Sequence, residues 1–257
     1  MNVEKGVNVV IGNQVEFGNN VMLGHNVIIY DGVKIGSNVV VQDNAVIGKQ
    51  PTRAKNSARK NEIALSSTVI GDGCIIGTST IIYAGAILER DVFVADLATV
   101  RERVTIGTGT IVGRGVAVEN DCQIGAFCKL ETNCYITAFS QLGNHVFIAP
   151  CVVTTNDNYL ARSEERFLKM KGITIADGGR IGANATVLPG ILIEEDGTVG
   201  AGSVVTRDVK REELVIGAPA KKRREVPQSQ LLRNQNHGKG SEVYHCYPHE
   251  TGMSISN

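Results

Sequence analysis

The sequence predicts an all-β chain wound as a parallel β-helix of hexapeptide repeats, and three observations carry that prediction. An aliphatic residue recurs at every sixth position, interrupted once by the aromatic Phe17, in series that run Ile11 to Ile47, Ile70 to Ile148 and Ile175 to Val205. The residue four places after each of these is small or β-branched, as in Cys74, Thr80, Ala86, Val92 and Ala98. Glycine often follows the aliphatic, as at Gly36, Gly71, Gly107, Gly125 and Gly182, where a tight corner needs a backbone without Cβ strain. A period of six fits neither a helix nor a simple two-faced strand. It fits a prism in which each hexad supplies one short strand and one corner, and three hexads close a coil.

The elements follow in chain order. The three series hold 7, 14 and 6 hexads, which makes about nine coils, roughly 43 Å tall at ~4.8 Å per strand. Residues 1–209 form this prism, with two segments excluded from it, at about 49–63 and 154–172. The first carries Lys49, Arg53, Lys55, Arg59 and Lys60; it reads either as a solvated loop or as an arm that contacts phosphate, since clustered Lys and Arg favour phosphate by charge and forked hydrogen bonds. The second is amphipathic and non-repeating, the kind of insertion a solenoid uses to cover a site. Residues 210–257 form a C-terminal extension. From residue 225 it is rich in Gln, Asn, Ser and Gly and reads as an appended, mobile tail.

Composition narrows the function classes. The 257 residues carry a formal net charge of zero, with no Trp and 29 Gly, which suits one elongated domain and gives no field for nucleic acid. No apolar run approaches the ~20 residues of a membrane span, and the N-terminus does not read as a signal peptide. Cys74, Cys122, Cys128 and Cys134 fall in small core slots and read as reduced packing residues, so a cytoplasmic location is expected.

The segments YITAFSQLGNHVFIAPCVVTTNDNY, RIGANATVLPGILIEEDGTVGAGSVVTRDV and VIGAPAKKRR resemble the hexapeptide-repeat acyltransferases, and most closely those that acylate the amine of a nucleotide-linked amino sugar. The resemblance covers residues 70 to 224, and the earlier coils only through the repeat. It implies a left-handed β-helix and a homotrimer. It also implies acetyl-CoA or another short acyl-CoA as donor, lying between neighbouring prisms with the second excluded loop folded over it. Pantetheine would run against the small residues Gly182, Ala183, Ala201 and Gly202, and the CoA phosphates would meet the basic end that includes Lys221 and Arg223.

Acyl transfer from a thioester to an amine needs an unprotonated amine, a polarised carbonyl and a route for one proton. Only His25 and His145 lie within the prism, and His145, at a corner just before the loop-bearing coil, is the better general-base candidate. Positioning of an already nucleophilic amine is the competing account. Residues 18 apart stack, so Glu102, Asn120, Ala138 and Asn156 form one column, beside Arg101 and its column and beside the column ending in Asp157. Glu102 and Asn156, three coils or roughly 14 Å apart, would line a groove as long as a nucleotide-sugar. Asp96 and Glu102 hold equivalent hexad positions, and either would attract an amino-sugar cation. The expected set is therefore His145, Glu102 and Asp157 for catalysis, and Asp96, Arg101, Asn120, Asn156 and Tyr159 for the acceptor.

Other readings stay open. One is an O-acetyltransferase for sugars or serine; another is a non-catalytic β-helix scaffold. A γ-type carbonic anhydrase needs three metal-binding histidines near one subunit junction, which the prism lacks. No metal is expected, and the tail residues His245, Cys246 and His249 are a weak metal signal.

Overall fold

The computed structural model describes residues 2–52, 54–55, 65–162 and 164–235. Three sheets form the faces of one prism, with twelve, ten and nine strands, all parallel except the last strand of the first. Their strands are two or three residues long for the most part, because a hexad leaves no room for more between corners. The first face runs from Val3–Lys5 through Ile75–Ile76 and Phe147–Ile148 to Glu213–Gly217, the second from Val10–Ile11 to Val204–Val205, and the third from Glu16–Phe17 to Leu192–Ile193. Pairing is in register at a spacing of 18, as in Ile75 with Phe93 and Phe93 with Ile111.

The aliphatic series fills the axis. Every axis residue from Leu23 to Val205 is at most 5% exposed, and each such Ile or Val contributes about 1.5–3 kcal/mol by burial. The slots beside them are equally closed, with Cys74, Ala98, Cys122 and Cys128 fully buried. Hydroxyls in those slots find carbonyl partners. Thr80 Oγ1 donates to Ala95 O at 3.0 Å and Thr110 Oγ1 to Gly125 O at 2.8 Å, which removes the cost of an unpaired buried polar group.

Each corner places one residue in the left-handed region. Most are Gly or Asn, but Leu97, Arg103, Phe139 and His145 also sit there, with φ of 62°, 59°, 68° and 55°.

The prism is taller than the expected nine coils. The first face holds eleven parallel strands, ending in Glu213–Gly217, which stacks on Thr198–Val199 and then turns back as the antiparallel strand Ala220–Glu225. The extra rungs escaped the period because the first axis position is Lys5, and because the step from Val205 to Val209 is four positions, not six, before Val215 restores the spacing. The tail is docked, not loose, as far as residue 235. Val226 and Leu231 are buried, and Leu232 N–H donates to both carboxylate oxygens of Asp196, at 2.9 and 3.1 Å. Two apolar residues in a polar stretch are enough to anchor it. Burial pushes the Asp196 carboxyl above its ordinary value, against the pull of the Leu232 N–H. No helix among the described residues is long and apolar enough to cross a membrane.

Candidate functional site

Both interruptions of the repeat leave from the same edge of the prism. The chain quits the second face after Val46–Lys49 and rejoins the third at Val69–Ile70; it quits the second face again after Val153–Thr154 and rejoins the third at Thr174–Ile175. The second departure comes one hexad later than the aliphatic series suggests. Thr154 takes the axis position, fully buried, with its hydroxyl donating to Tyr135 O at 3.0 Å and accepting Thr137 N–H at 2.8 Å. Hexads counted in threes carry the signal that both loops share this corner, since Ile47 and Thr154 fall on the same face.

Between the two loops the corner is built from residues 83–85, 101–103, 119–121, 137–139 and 155–157, one set per coil. Its middle is charged. Glu102 points into the corner at 2% exposure, where its column neighbours Ala84 and Ala138 are also buried. Its Oε2 accepts Arg101 Nε–H at 2.9 Å, and its Oε1 lies 3.9 Å from Arg103 Nη2. Arg101 also reaches Glu119 at 3.8 Å, and Arg103 grips Asp121 with two hydrogen bonds of 2.6 and 3.1 Å. Asn120 Nδ2 donates to Asp121 Oδ2 at 2.6 Å. Below them, Tyr83 lies under the Arg101 guanidinium, 4.6 Å from it, with Lys49 Nζ 5.4 Å from the same ring. A buried carboxylate costs desolvation that its partners only partly offset, so a cluster of this kind in a corner bracketed by loops marks a site candidate.

At the upper loop, Asp157 is committed to the loop itself. Its Oδ1 accepts Tyr159 N–H at 2.8 Å, its Oδ2 accepts Ala161 N–H at 3.1 Å, and Arg166 Nε lies 3.1 Å away, close enough to pair but not aligned for a hydrogen bond. The Tyr159 and Ala161 amides and the Arg166 charge hold its carboxyl below the ordinary value, against a smaller desolvation effect. Tyr159 Oη donates to Glu165 at 3.1 Å, and Asn156 O accepts Lys171 N–H at 3.1 Å, closing the base of the loop. A short helix, Arg166–Lys169, presents Phe167 and Leu168 to the outside.

The structure therefore gathers Arg101, Glu102, Asn120, Asn156, Asp157 and Tyr159 along one corner. It places the other expected residues elsewhere. His145 is at the next corner, between the third and first faces, where its ring stacks on Phe127 with centroids 5.3 Å apart and lines a cleft of about 280 Å³ with Arg180, Asp196 and Gln230. Asp96 is at the corner between the first and second faces, and its Oδ1 accepts Thr78 N–H at 2.8 Å. Equivalent positions in successive hexads lie on successive corners, so Asp96 and Glu102 do not face one ligand within a chain. Gly182, Ala183, Ala201 and Gly202 come together at the Asp96 corner in adjacent coils, with Gly202 N–H donating to Ala183 O at 2.8 Å. A Cβ on Gly182 would lie 2.5 Å from Ala201 N, while one on Gly202 would meet nothing within 4 Å. Lys221 and Arg223 are exposed on the final strand. Tyr83, Arg103 and Asp121 were not in the expected set. Arg103 had a sequence signal, a bulky residue at the corner position where Asn or Gly is usual.

Arg53, Arg59 and Lys60 of the basic loop, and His245, Cys246 and His249 of the tail, lie outside the described residues. Among the described residues no three His, Cys, Asp or Glu side chains are grouped as metal ligands.

Family comparisons agree with this architecture. A model of the bacterial transferase hexapeptide (six repeats) matches residues 15–49, and one of the hexapeptide repeat of succinyl-transferase matches 67–95 and 172–207. These segments carry the hexapeptide repeat found in bacterial acyltransferases. The fold is accordingly the left-handed parallel β-helix. Among relatives of this hexapeptide-repeat protein, a putative acetyltransferase of Schizosaccharomyces pombe is 36% identical over 88 residues, 33% of this chain and 42% of its own. The galactoside O-acetyltransferase of Lactococcus lactis is 30% identical over 100 residues, 38% of this chain and 48% of its own. These matches span less than half the length of the curated relatives. The UDP-N-acetylglucosamine acyltransferase from Campylobacter jejuni superposes with a TM-score of 0.55 at 13% identity, over 86% of this chain and 75% of its own, which speaks to fold alone.

Proposed function

We propose that this chain is an acyl-CoA-dependent N-acyltransferase that moves an acetyl or short acyl group to the amine of a nucleotide-linked amino sugar. The observation that carries the proposal is the corner itself, where two excluded loops bracket a buried Glu102 held by Arg101 and Arg103. Similarity to acetyltransferases and the VTTNDNY and GAPA segments support the CoA-dependent reaction class, and the acceptor class rests on the resemblance of residues 70 to 224 to the acyltransferases of nucleotide-linked amino sugars.

The active assembly is a homotrimer. Within one chain, the small-residue corner at Gly182, Ala183, Ala201 and Gly202 and the loop-bearing corner at Glu102 and Asn156 lie on opposite edges of the second face. Donor and acceptor held there meet only where two prisms stand side by side. The outward positions of the first and second faces favour such contact, with Met22, Ile75, Phe93 and Phe147 on one and Ile28, Tyr135 and Val153 on the other all exposed and apolar. His145 acts as base at this corner only from a neighbouring chain. The protein works in the cytoplasm, where acyl-CoA is found, and needs no metal.

In this mechanism Glu102 and Asn120 orient the acceptor, and Asp157 holds the loop that closes over the donor. The amine attacks the thioester carbonyl, the C–S bond breaks as the C–N bond forms, and the amine's proton passes to His145 or to solvent. A second reading, O-acetylation of a sugar hydroxyl, is favoured by the galactoside O-acetyltransferase relative.

The test is thiol release from acetyl-CoA with matched acceptors that carry an amine or a hydroxyl at the same sugar carbon. Turnover of the amine alone supports the proposal, and turnover of the hydroxyl alone replaces it with the second reading. Mixing His145→Ala with Glu102→Gln protein after reversible dissociation should restore part of the activity if the site is shared between chains. If mixing restores nothing while each variant is inactive alone, the shared site is wrong.

A further inference from the structure

The loop-bearing corner changes sign along its length. At its lower end Lys49 and Tyr83 face each other across adjacent rungs, and the lower loop adds Lys55. Two rungs above Tyr83 the balance reverses. Residues 101–103 and 119–121 hold two arginines against the three carboxylates of Glu102, Glu119 and Asp121, a net charge of −1. Arg101 joins the halves, with its guanidinium over Tyr83 and its Nε–H on Glu102.

We propose that this corner is a polar-ended acceptor groove that fixes the direction in which the substrate lies. Lys49 and Tyr83 take the diphosphate and the adjoining nucleoside, and Glu119 with the Glu102 cluster takes the sugar's ammonium group before it loses its proton. The inference rests on the nucleotide-sugar reading above and adds to it an orientation and three residues, Lys49, Tyr83 and Glu119, with roles in recognition.

First, a nucleotide-linked amino sugar is itself a dipole, with its anionic diphosphate and cationic amine separated by the sugar ring. The two rungs between Tyr83 and Glu119 span roughly 10 Å, which is the scale of that separation with side-chain reach included. Second, Tyr83 is half-buried and its ring is held by the nearby Arg101 guanidinium and Lys49 ammonium, so it is a fixed platform; a ring ordered in advance loses little entropy when a base or ribose packs against it. Third, Arg103 Nη1 is buried without a hydrogen-bond partner although the rest of its guanidinium is gripped by Asp121. A folded chain keeps such an arrangement where the charges serve binding more than stability.

The groove also has a consequence for turnover. Acylation removes the amine's charge, so the product loses its attraction to Glu119 while keeping its diphosphate contacts. Product therefore binds more weakly than substrate by the worth of one charged contact.

The experiment is calorimetric titration of the intact protein with three probes: a nucleoside-diphosphate-linked aminodeoxyhexose, its N-acetyl derivative and the free nucleoside diphosphate. Wild-type protein should bind the amine form about tenfold more tightly than the N-acetyl form, as expected for one hydrogen-bonded charge. Lys49→Met and Tyr83→Ala should weaken all three probes by about tenfold. Glu119→Gln should weaken only the amine form and bring it level with its N-acetyl derivative, with circular dichroism confirming that each variant is folded. Equal weakening of all probes by Glu119→Gln, or unchanged binding in Lys49→Met and Tyr83→Ala, overturns the orientation while leaving the acceptor class standing. If wild-type protein binds none of the three probes yet acetyl-CoA still raises its Tm, the acceptor class fails and the inference fails with it.

Discussion

Arg101 Nε lies 2.9 Å from Oε2 of Glu102, a residue only 2% exposed, at the corner from which both excluded loops depart. Burying that carboxylate costs desolvation that the pair only partly offsets, and nothing in the prism requires a carboxylate where the same column carries Ala84 and Ala138. In the proposed acceptor site, the pair serves the ligand and not the fold.

Glu102→Gln keeps the side chain's shape and an acceptor oxygen for Arg101 but removes the charge. Acceptor kcat/KM should fall at least about tenfold while the KM for acetyl-CoA stays unchanged. Steady-state kinetics with each substrate varied in turn will show this. Unaltered acceptor kinetics in a folded variant would assign Glu102 to structure.

Asp157 should govern the order of the upper loop. Asp157→Ala removes the acceptor for the Tyr159 and Ala161 amides and the partner of Arg166. Trypsin should then cut after Arg162 or Arg166 at least several-fold faster than in the wild type. The pH dependence follows from the lowered carboxyl. Such a group stabilises the folded loop at every pH above the ordinary carboxylate value of about 3.9, and the contribution is lost as pH falls through the lower folded value. Hydrogen exchange across residues 158–162, corrected for intrinsic rates, should be flat from pH 7 to 5 and rise only below about pH 4. A rise already between pH 7 and 5 would mean that another group holds the loop.

Leu97 is strained without visible return. It has φ of 62° and is 57% exposed, a conformation that costs a bulky L-residue about 1–2 kcal/mol and Asn much less. Leu97→Asn should raise Tm by about 2–4 °C if the residue has no partner in the assembly. A fall in Tm together with a smaller oligomer in light scattering would place Leu97 in a subunit contact.

Val112 sits on the axis at 0% exposure. Val112→Asp puts a carboxylate where neither water nor a partner reaches it, a cost of several kcal/mol, and should abolish soluble folded protein. A cooperative thermal transition from that variant would contradict the axis assignment.

Much of the prism was legible in the residues because its rule is local. One aliphatic side chain per hexad must fill the axis, and one small residue must fit beside it, so the period exposes faces, corners and stacking columns without knowledge of distant contacts. That same rule placed Arg101, Glu102, Asn120 and Asn156 in adjoining columns and set the loop containing Asp157 and Tyr159 above them. It failed at both ends. Lys5 occupies an axis position, and the short step from Val205 to Val209 disguises the last rungs.

What the tertiary structure decided is which of these positions share space. A period of six says that Asp96, Glu102 and His145 are all corner residues, but their corner depends on the count in threes, and the answer separates all three. Whether a corner residue is buried, as Glu102 is, depends on the side chains folded around it. Docking of Val226 and Leu231, and the Leu232 N–H on Asp196, join residues 36 apart in the chain through contacts that follow no period. Local repetition writes the scaffold into the sequence; the site arises where chain segments without that repetition meet it, and only the folded chain brings them together.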